Sequence, residues 1–203
     1  MAMRDDLLAA TSRILRRDGL ARLSTRSVAR ETGVSEGALY KHFTTKEDLL
    51  LAAVDALVAP YAAVASELPA KVGLGDVSEQ LGDVAVANYH FVLAAGPIWG
   101  SLHADPALHR SYLALLRARD LGPHHAMALL GRYCAAEQRL GRLNPAVTPT
   151  ALADLVMAIA HFHANLDNGV GRDTSEGPAR VRSTLAAALA GLLPRTTATE
   201  SPP

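Results

Sequence analysis

One cysteine, Cys134, occurs among 203 residues, so no intramolecular disulfide can brace the chain, and a reducing compartment is the easier setting. Aromatic residues make up only 4%, and twenty basic side chains cancel twenty acidic ones. Net charge alone therefore gives no sign of a nucleic-acid partner. No apolar run reaches bilayer length before meeting Asp55, Pro60, Pro97 or His161, and Arg4, Asp5 and Asp6 leave no apolar signal core. These absences predict a soluble, cytoplasmic chain without a membrane span. Strand-like alternation and internal repeats are also missing. So are a phosphate-cradling glycine loop, a nucleophile elbow and a metalloprotease helix motif, and no enzyme or cofactor is indicated. What is plentiful is apolar content, 49%, enough for one or two buried cores.

The informative stretch runs from Ser24 to Asp48. Ser24 is suited to cap a helix that carries Val28 and Ala29 inward and ends at Thr32. Gly33 takes the sharp turn, where a residue without Cβ accepts positive φ at little cost, and Val34 plugs it. Ser35 caps a second helix whose Leu39 and Phe43, four apart, face the core. Gly37 and Lys41 then lie on the opposite side, flanked by Ala38 and Tyr40. Thr45 opens a third helix with Asp48 three positions on. This is a helix-turn-helix whose second helix shows small, polar and partly basic side chains outward. Charge is distributed to match. Before Glu47 stand nine basic and five acidic residues, a net +4, which leaves −4 on the rest. A basic head on an acidic body suits phosphates.

TRSVARETGVSEGALYKHFTTKEDLL, with the helix before it, resembles the DNA-binding domain of the tetracycline-repressor (TetR) family of transcriptional regulators. The resemblance covers roughly the first fifty residues, and GVSEGALYKHFTTKEDL is its most telling part. It implies DNA contacts at Thr25, Arg26, Ser35, Glu36, Gly37, Ala38, Tyr40, Lys41, His42 and Lys46. The residues agree. Gly37 and Ala38 permit close backbone approach, Lys41 can reach a guanine edge or a phosphate, and Glu36 could accept from a cytosine amino group. Residues 1–48 are expected to form this head, 49–194 a helical ligand-binding and dimerisation body, and 195–203 a disordered tail.

Helical spacing places a first helix over about 4–18 with Gly19 as its stop, backed by Leu20 and Leu23. The helix from Thr45 is expected to break or kink at Pro60. Others are expected over about 77–95, ending at Gly96-Pro97, then 106–120 and 124–140, broken between by Gly122-Pro123. Thr148-Pro149 opens a penultimate helix that ends at Asn168-Gly169, and Pro178 opens the last, which stops at Pro194. This last pair carries Ala-rich apolar stripes, from which Leu152, Leu155, Ile159, Val181, Leu185 and Leu189 are expected to form a homodimer interface. The scarce aromatics gather in the middle. Tyr89, Trp99, His103 and Tyr112, with Phe162 and Asn165, are candidates for a pocket. His161 and His163 point about 200° apart and cannot share an ion, and His124-His125 matches no zinc spacing, so no metal site is expected.

Together these features predict an all-α, ligand-responsive repressor that binds a palindromic operator as a homodimer and is released by a small, largely apolar molecule. A regulator without an inducer, and an all-α enzyme or carrier, are the alternative classes.

Overall fold

The computed structural model describes residues 2–19, 22–118, 120, 122 and 124–190, except the side chains of Ala2, Arg16, Glu47, Pro97, Ser101 and Leu108. Leu20, Pro123, the stop at Pro194 and the tail 195–203 lie outside the described residues.

The elements in order are α1 (Ala2–Asp18), α2 (Thr25–Thr32), α3 (Glu36–Tyr40), α4 (Lys46–Lys71), α5 (Val77–Ala104), α6 (Pro106–Ala118), α7 (His124–Arg139), α8 (Pro149–Val170), a 3₁₀ turn (Thr174–Glu176) and α9 (Gly177–Ala190). Among the described residues there is no strand. Local chemistry sets most of the ends. The side chains of Ser24, Ser35, Thr45 and Thr148 each accept a hydrogen bond from the backbone N–H three residues on, satisfying a donor the first turn leaves unpaired. Gly33 closes α2 at φ 72°, with the Val34 N–H on the Ala29 carbonyl.

Two expected breaks are absent. α4 runs unbroken for 26 residues through Pro60 and Pro69, and α5 for 28 residues through Gly96-Pro97. An interior proline costs about 3 kcal/mol through its lost hydrogen bond and ring clash. Against that, burying one Leu, Ile or Tyr contributes roughly 1.5–3 kcal/mol. Tyr61, Ala65 and Leu68 follow Pro60 into the core, and Ile98 and Leu102 follow Pro97, all almost fully buried. Burial on both sides of each proline outweighs the break. As a consequence Asp48–Lys71 is long and apolar enough, by length and composition, to cross a membrane. Its inner side is taken by protein, with Leu49, Leu50, Ala53, Tyr61, Ala65 and Leu68 all buried. α8 likewise outlasts Asn168-Gly169 by one residue and ends on Gly171 at φ 64°.

Two apolar cores result. The larger is built from α4, α5, α7, α8 and α9 around Leu81, Tyr89, Leu130, Val156 and Val181. Cys134 is fully buried there, and burial pushes its thiol up to about 12, which makes it an inert core group. The smaller core joins Leu7, Ile14, Val28, Leu39, Phe43 and Leu49 of the first four helices to Ile98 and Leu102 of α5 and Tyr112 of α6. Residues 1–48 therefore do not close their core alone. The end of α5 and the middle of α6 complete it.

Candidate nucleic-acid interface

The interface candidates sit on α2, α3 and the start of α4, with Ser35 capping α3 and Lys41 and His42 in the turn that follows it. Leu39 (fully buried) and Phe43 anchor α3 from beneath, and Arg4 stacks its guanidinium 5.4 Å from the Phe43 ring centroid. With that side fixed inward, Gly37, Tyr40, Lys41 and His42 are left exposed, Tyr40 by 49%. Ser35 accepts from the Ala38 N–H at 3.1 Å, and the half-buried Ala38 keeps the helix surface shallow. Lys46 is exposed at the start of α4.

Glu36 is engaged within the head. Its Oε2 accepts from the Thr25 hydroxyl and its Oε1 from Arg26 Nε, both at 3.1 Å. Three candidates named separately from the sequence thus form one clamp across the turn, from the first residues of α2 to the first of α3. The pair with Arg26 is open to solvent, so its direct contribution is small, about 0.2–1 kcal/mol. Its geometric effect is larger, because it fixes where the Arg26 guanidinium points.

Beside the clamp lies a hollow of about 520 Å³ between α1 and α2, lined by Arg17, Arg22, Arg26, Arg30, Ser24 and Glu31, among others. Arg13 and Arg17 pair with Glu31 at 3.0 and 3.1 Å, and Arg17 also holds Asp18 at 2.8 Å. Hydrogen bonds from these arginines keep the Glu31 and Asp18 carboxyls below their ordinary range, so both stay ionised. Arg22 and Arg30 line this hollow too, although the helix-turn-helix pattern does not single them out. Their signal is the spacing Arg22, Arg26, Arg30, which puts the last two on one side of α2.

The six pocket candidates do not converge. Trp99 and Tyr112 meet edge-on at 6.0 Å within the smaller core. Tyr89 is fully buried in the larger one, and its hydroxyl donates to Asp167 Oδ2 at 2.7 Å. His103 is exposed, its ring 6.1 Å from that of His109. Phe162 is 61% exposed, and the exposed Asn165 donates back to the His161 carbonyl. Of the six interface candidates on α8 and α9, Leu152, Val181, Leu185 and Leu189 are at most 1% exposed, Ile159 is 8% exposed and Leu155 is half-buried. They fill the chain's own core, and the outward side carries Ala158, Phe162, Asn165, Ala186 and Ala187 instead.

A buried polar group that the sequence reading missed holds this pair of helices. Asp167, 1% exposed, accepts from Tyr89 of α5 and from Arg180 of α9, both at 2.7 Å. Burial acts to raise the Asp167 pKa, but these two hydrogen bonds together with the charges of Arg180 and Arg172 outweigh it and hold the carboxyl below its ordinary value. Burial and the neighbouring carboxylate push the Tyr89 hydroxyl up to about 12. An aspartate within a largely apolar helix, four residues after His163, was the available clue.

Residues 7–53 match the sequence profile of bacterial regulatory proteins of the tetR family. No curated protein matches the chain. Solved structures share the fold along nearly all of it. A TetR transcription regulator from Haloarcula marismortui is 17% identical, with 95% of this chain and 99% of that one covered and a TM-score of 0.71. A TetR transcriptional regulator from Streptomyces coelicolor is 22% identical over 95% and 99% of the two chains, at 0.58. A Rhodococcus protein of unknown function is 26% identical over 95% and 96%, at 0.63. The profile falls on the helices whose exposed side has just been described, so residues 7–53 are similar to the helix-turn-helix of tetR-family regulators, and the chain as a whole shares the fold of such proteins.

Proposed function

We propose that this chain is a TetR-like transcriptional regulator, a cytoplasmic repressor that binds a palindromic operator as a homodimer and is released by a small, largely apolar ligand. Gly37, Ala38, Tyr40 and Lys41 read the major groove, with Ser35 and His42 beside them. Thr25, Arg26 and Lys46 meet phosphates, and Glu36 orients Arg26. The observation that carries this reading is the exposed side of α3, braced from beneath by Leu39 and Phe43 and laterally by the Thr25–Glu36–Arg26 clamp. Residues 1–48 serve as the reading head and 49–194 as the body. The smaller core gives the body a grip on the head, since Ile98, Leu102 and Tyr112 belong to it. A ligand that binds better when α6 sits differently shifts the head by its differential affinity alone. For the dimer, the outward side of α8 and α9 around Phe162 suits a second copy, with small alanines allowing close helix approach.

One observation favours a second reading, a regulator without an inducer. Tyr89, Trp99 and Tyr112 are already packed or hydrogen-bonded, and Phe162 faces away.

Titration of the full chain onto duplexes flanking its own gene, followed by fluorescence anisotropy between about 50 and 200 mM salt, tests the DNA reading. The expected result is specific, saturable binding of two copies per site, with log K falling linearly with log salt. If no candidate duplex gives specific, salt-sensitive binding, the reading is wrong. Apolar ligands that release a bound duplex support the first reading over the second.

A further inference from the structure

Three metal-ligating side chains meet at the corner between α6 and α7, remote in sequence from the DNA-reading helices. α6 ends at Ala118 and α7 begins at His124. Between them Asp120 stands at φ 49°, the one non-glycine residue among those described with positive φ. Asp tolerates this backbone better than most residues. Asp120 Oδ1 lies 3.2 Å from His124 Nε2, and Oδ2 lies 3.6 Å from His125 Nε2. One ligand atom from each residue falls within 4.8 Å of the other two. The imidazole centroids are 4.1 Å apart and tilted by 39°, so the adjacent histidines fan to the same side. Space for the first ring depends on Gly122, where a Cβ would come within 3.1 Å of His124 Nδ1.

Two imidazoles and a carboxylate are a donor set suited to late first-row divalent cations. Bonds of about 2.0–2.2 Å in tetrahedral geometry set neighbouring ligand atoms roughly 3.3 Å apart. The separations of 3.2 Å to Oδ1 and 3.6 Å to Oδ2 are near that value, each to a different oxygen of the carboxylate, so an ion held by one oxygen needs only a small rotation of that group. His125 Nε2 also lies 2.7 Å from the Asp120 carbonyl oxygen. An ion would replace that hydrogen bond. The carboxylate supplies the negative charge that the positive start of α7 would otherwise deny a cation. All three side chains are exposed, which gives an entry path.

We propose that Asp120, His124 and His125 bind one late first-row divalent cation, zinc, nickel or copper, with the remaining coordination open to water. The ion would fix the corner between two helices that serve different cores. α6 delivers Tyr112 to the core shared with the head, and α7 delivers Leu130 and Tyr133 to the body.

The test is titration of the full chain, free of any affinity tag, with zinc chloride against a chromophoric chelator. The expected result is one equivalent bound with a dissociation constant on the order of micromolar, weaker than closed four-ligand sites because three exposed side chains must be ordered. Replacing both histidines (His124→Ala with His125→Ala) should weaken it at least about tenfold, and Asp120→Asn should weaken it severalfold. The other close histidine pair serves as control, and His103→Ala with His109→Ala should leave the affinity unchanged. Circular dichroism of each metal-free variant checks that it is folded. Zinc binding equal in the wild type and the His124/His125 variant overturns the proposal. So does the absence of any equivalent bound more tightly than about 100 µM.

Discussion

Replacing Gly177 with alanine sets two physical effects against each other. Gly177 opens α9 with helical φ −52° and ψ −49°, so the backbone raises no objection, and propensity alone would favour alanine by up to about 1 kcal/mol. Packing says the reverse. An added Cβ would overlap the Tyr89 hydroxyl and its ring carbon Cζ, and Cε1 would be only 2.6 Å away. Tyr89 has nowhere to go, being fully buried with its hydroxyl on Asp167. Overpacking costs about 1–3 kcal/mol, and losing a hydrogen bond to a charged group about 1.5–3. Less the propensity gain, Gly177→Ala should destabilise by roughly 2–5 kcal/mol. Urea unfolding followed by circular dichroism, at one fixed protein concentration, gives the difference. Gly131→Ala is the internal control, a glycine within α7 with nothing within 4 Å of the added atom, and it should gain up to about 1 kcal/mol. Suppose Gly177→Ala proved as stable as the wild type while Gly131→Ala gained as expected. Tyr89 would then be free to move, and the Tyr89–Asp167–Arg180 group could not be the anchor that holds α8 and α9.

Because the folded Asp167 pKa lies below its unfolded value of about 3.9, its contribution is complete above that value and is lost as pH falls through the folded one. Removing its partner with Tyr89→Phe should flatten the dependence of the urea midpoint on pH below about 4, and an unchanged slope would reject this origin. Lys41→Ala should alter sequence preference at one operator position. Lys46→Ala should weaken all duplexes alike and lower the salt slope by about 0.9, so equal effects from both on every sequence would contradict the role given to Lys41. Glu36→Gln should loosen the orientation of Arg26 and lower DNA affinity a few-fold, about what an exposed pair is worth, and an unchanged or higher affinity in anisotropy titration would contradict the positioning role given to Glu36. Phe162→Asp places a charge at the centre of the proposed dimer surface. Sedimentation should show dimer giving way to monomer, and an intact dimer would move the contact elsewhere.

Several features were legible in the sequence because they are decided within four residues of themselves. The caps at Ser24, Ser35, Thr45 and Thr148 and the left-handed Gly33 are set by hydrogen bonds between near neighbours, and context has little to overrule. The inward Leu39 and Phe43 follow from one helical turn, and with them the exposed side of α3. Where burial and local preference compete, the sequence could not say which wins. Pro60 and Pro97 look like breaks, yet the core holds both helices together across them. The alanine-rich α8 and α9 carry small apolar residues on more than one side, so period alone could not tell the side that fills the core from the side that stays exposed. Three arrangements needed the chain to fold back on itself. These are Glu36 clamped by Thr25 and Arg26, Asp167 bridging α5 and α9, and Asp120 returned to two histidines by one left-handed residue. Residue types and helical period determined that the chain is all-α with a helix-turn-helix near its start. Only tertiary packing decided which polar groups meet, because that depends on distances between segments that local hydrogen bonds do not encode.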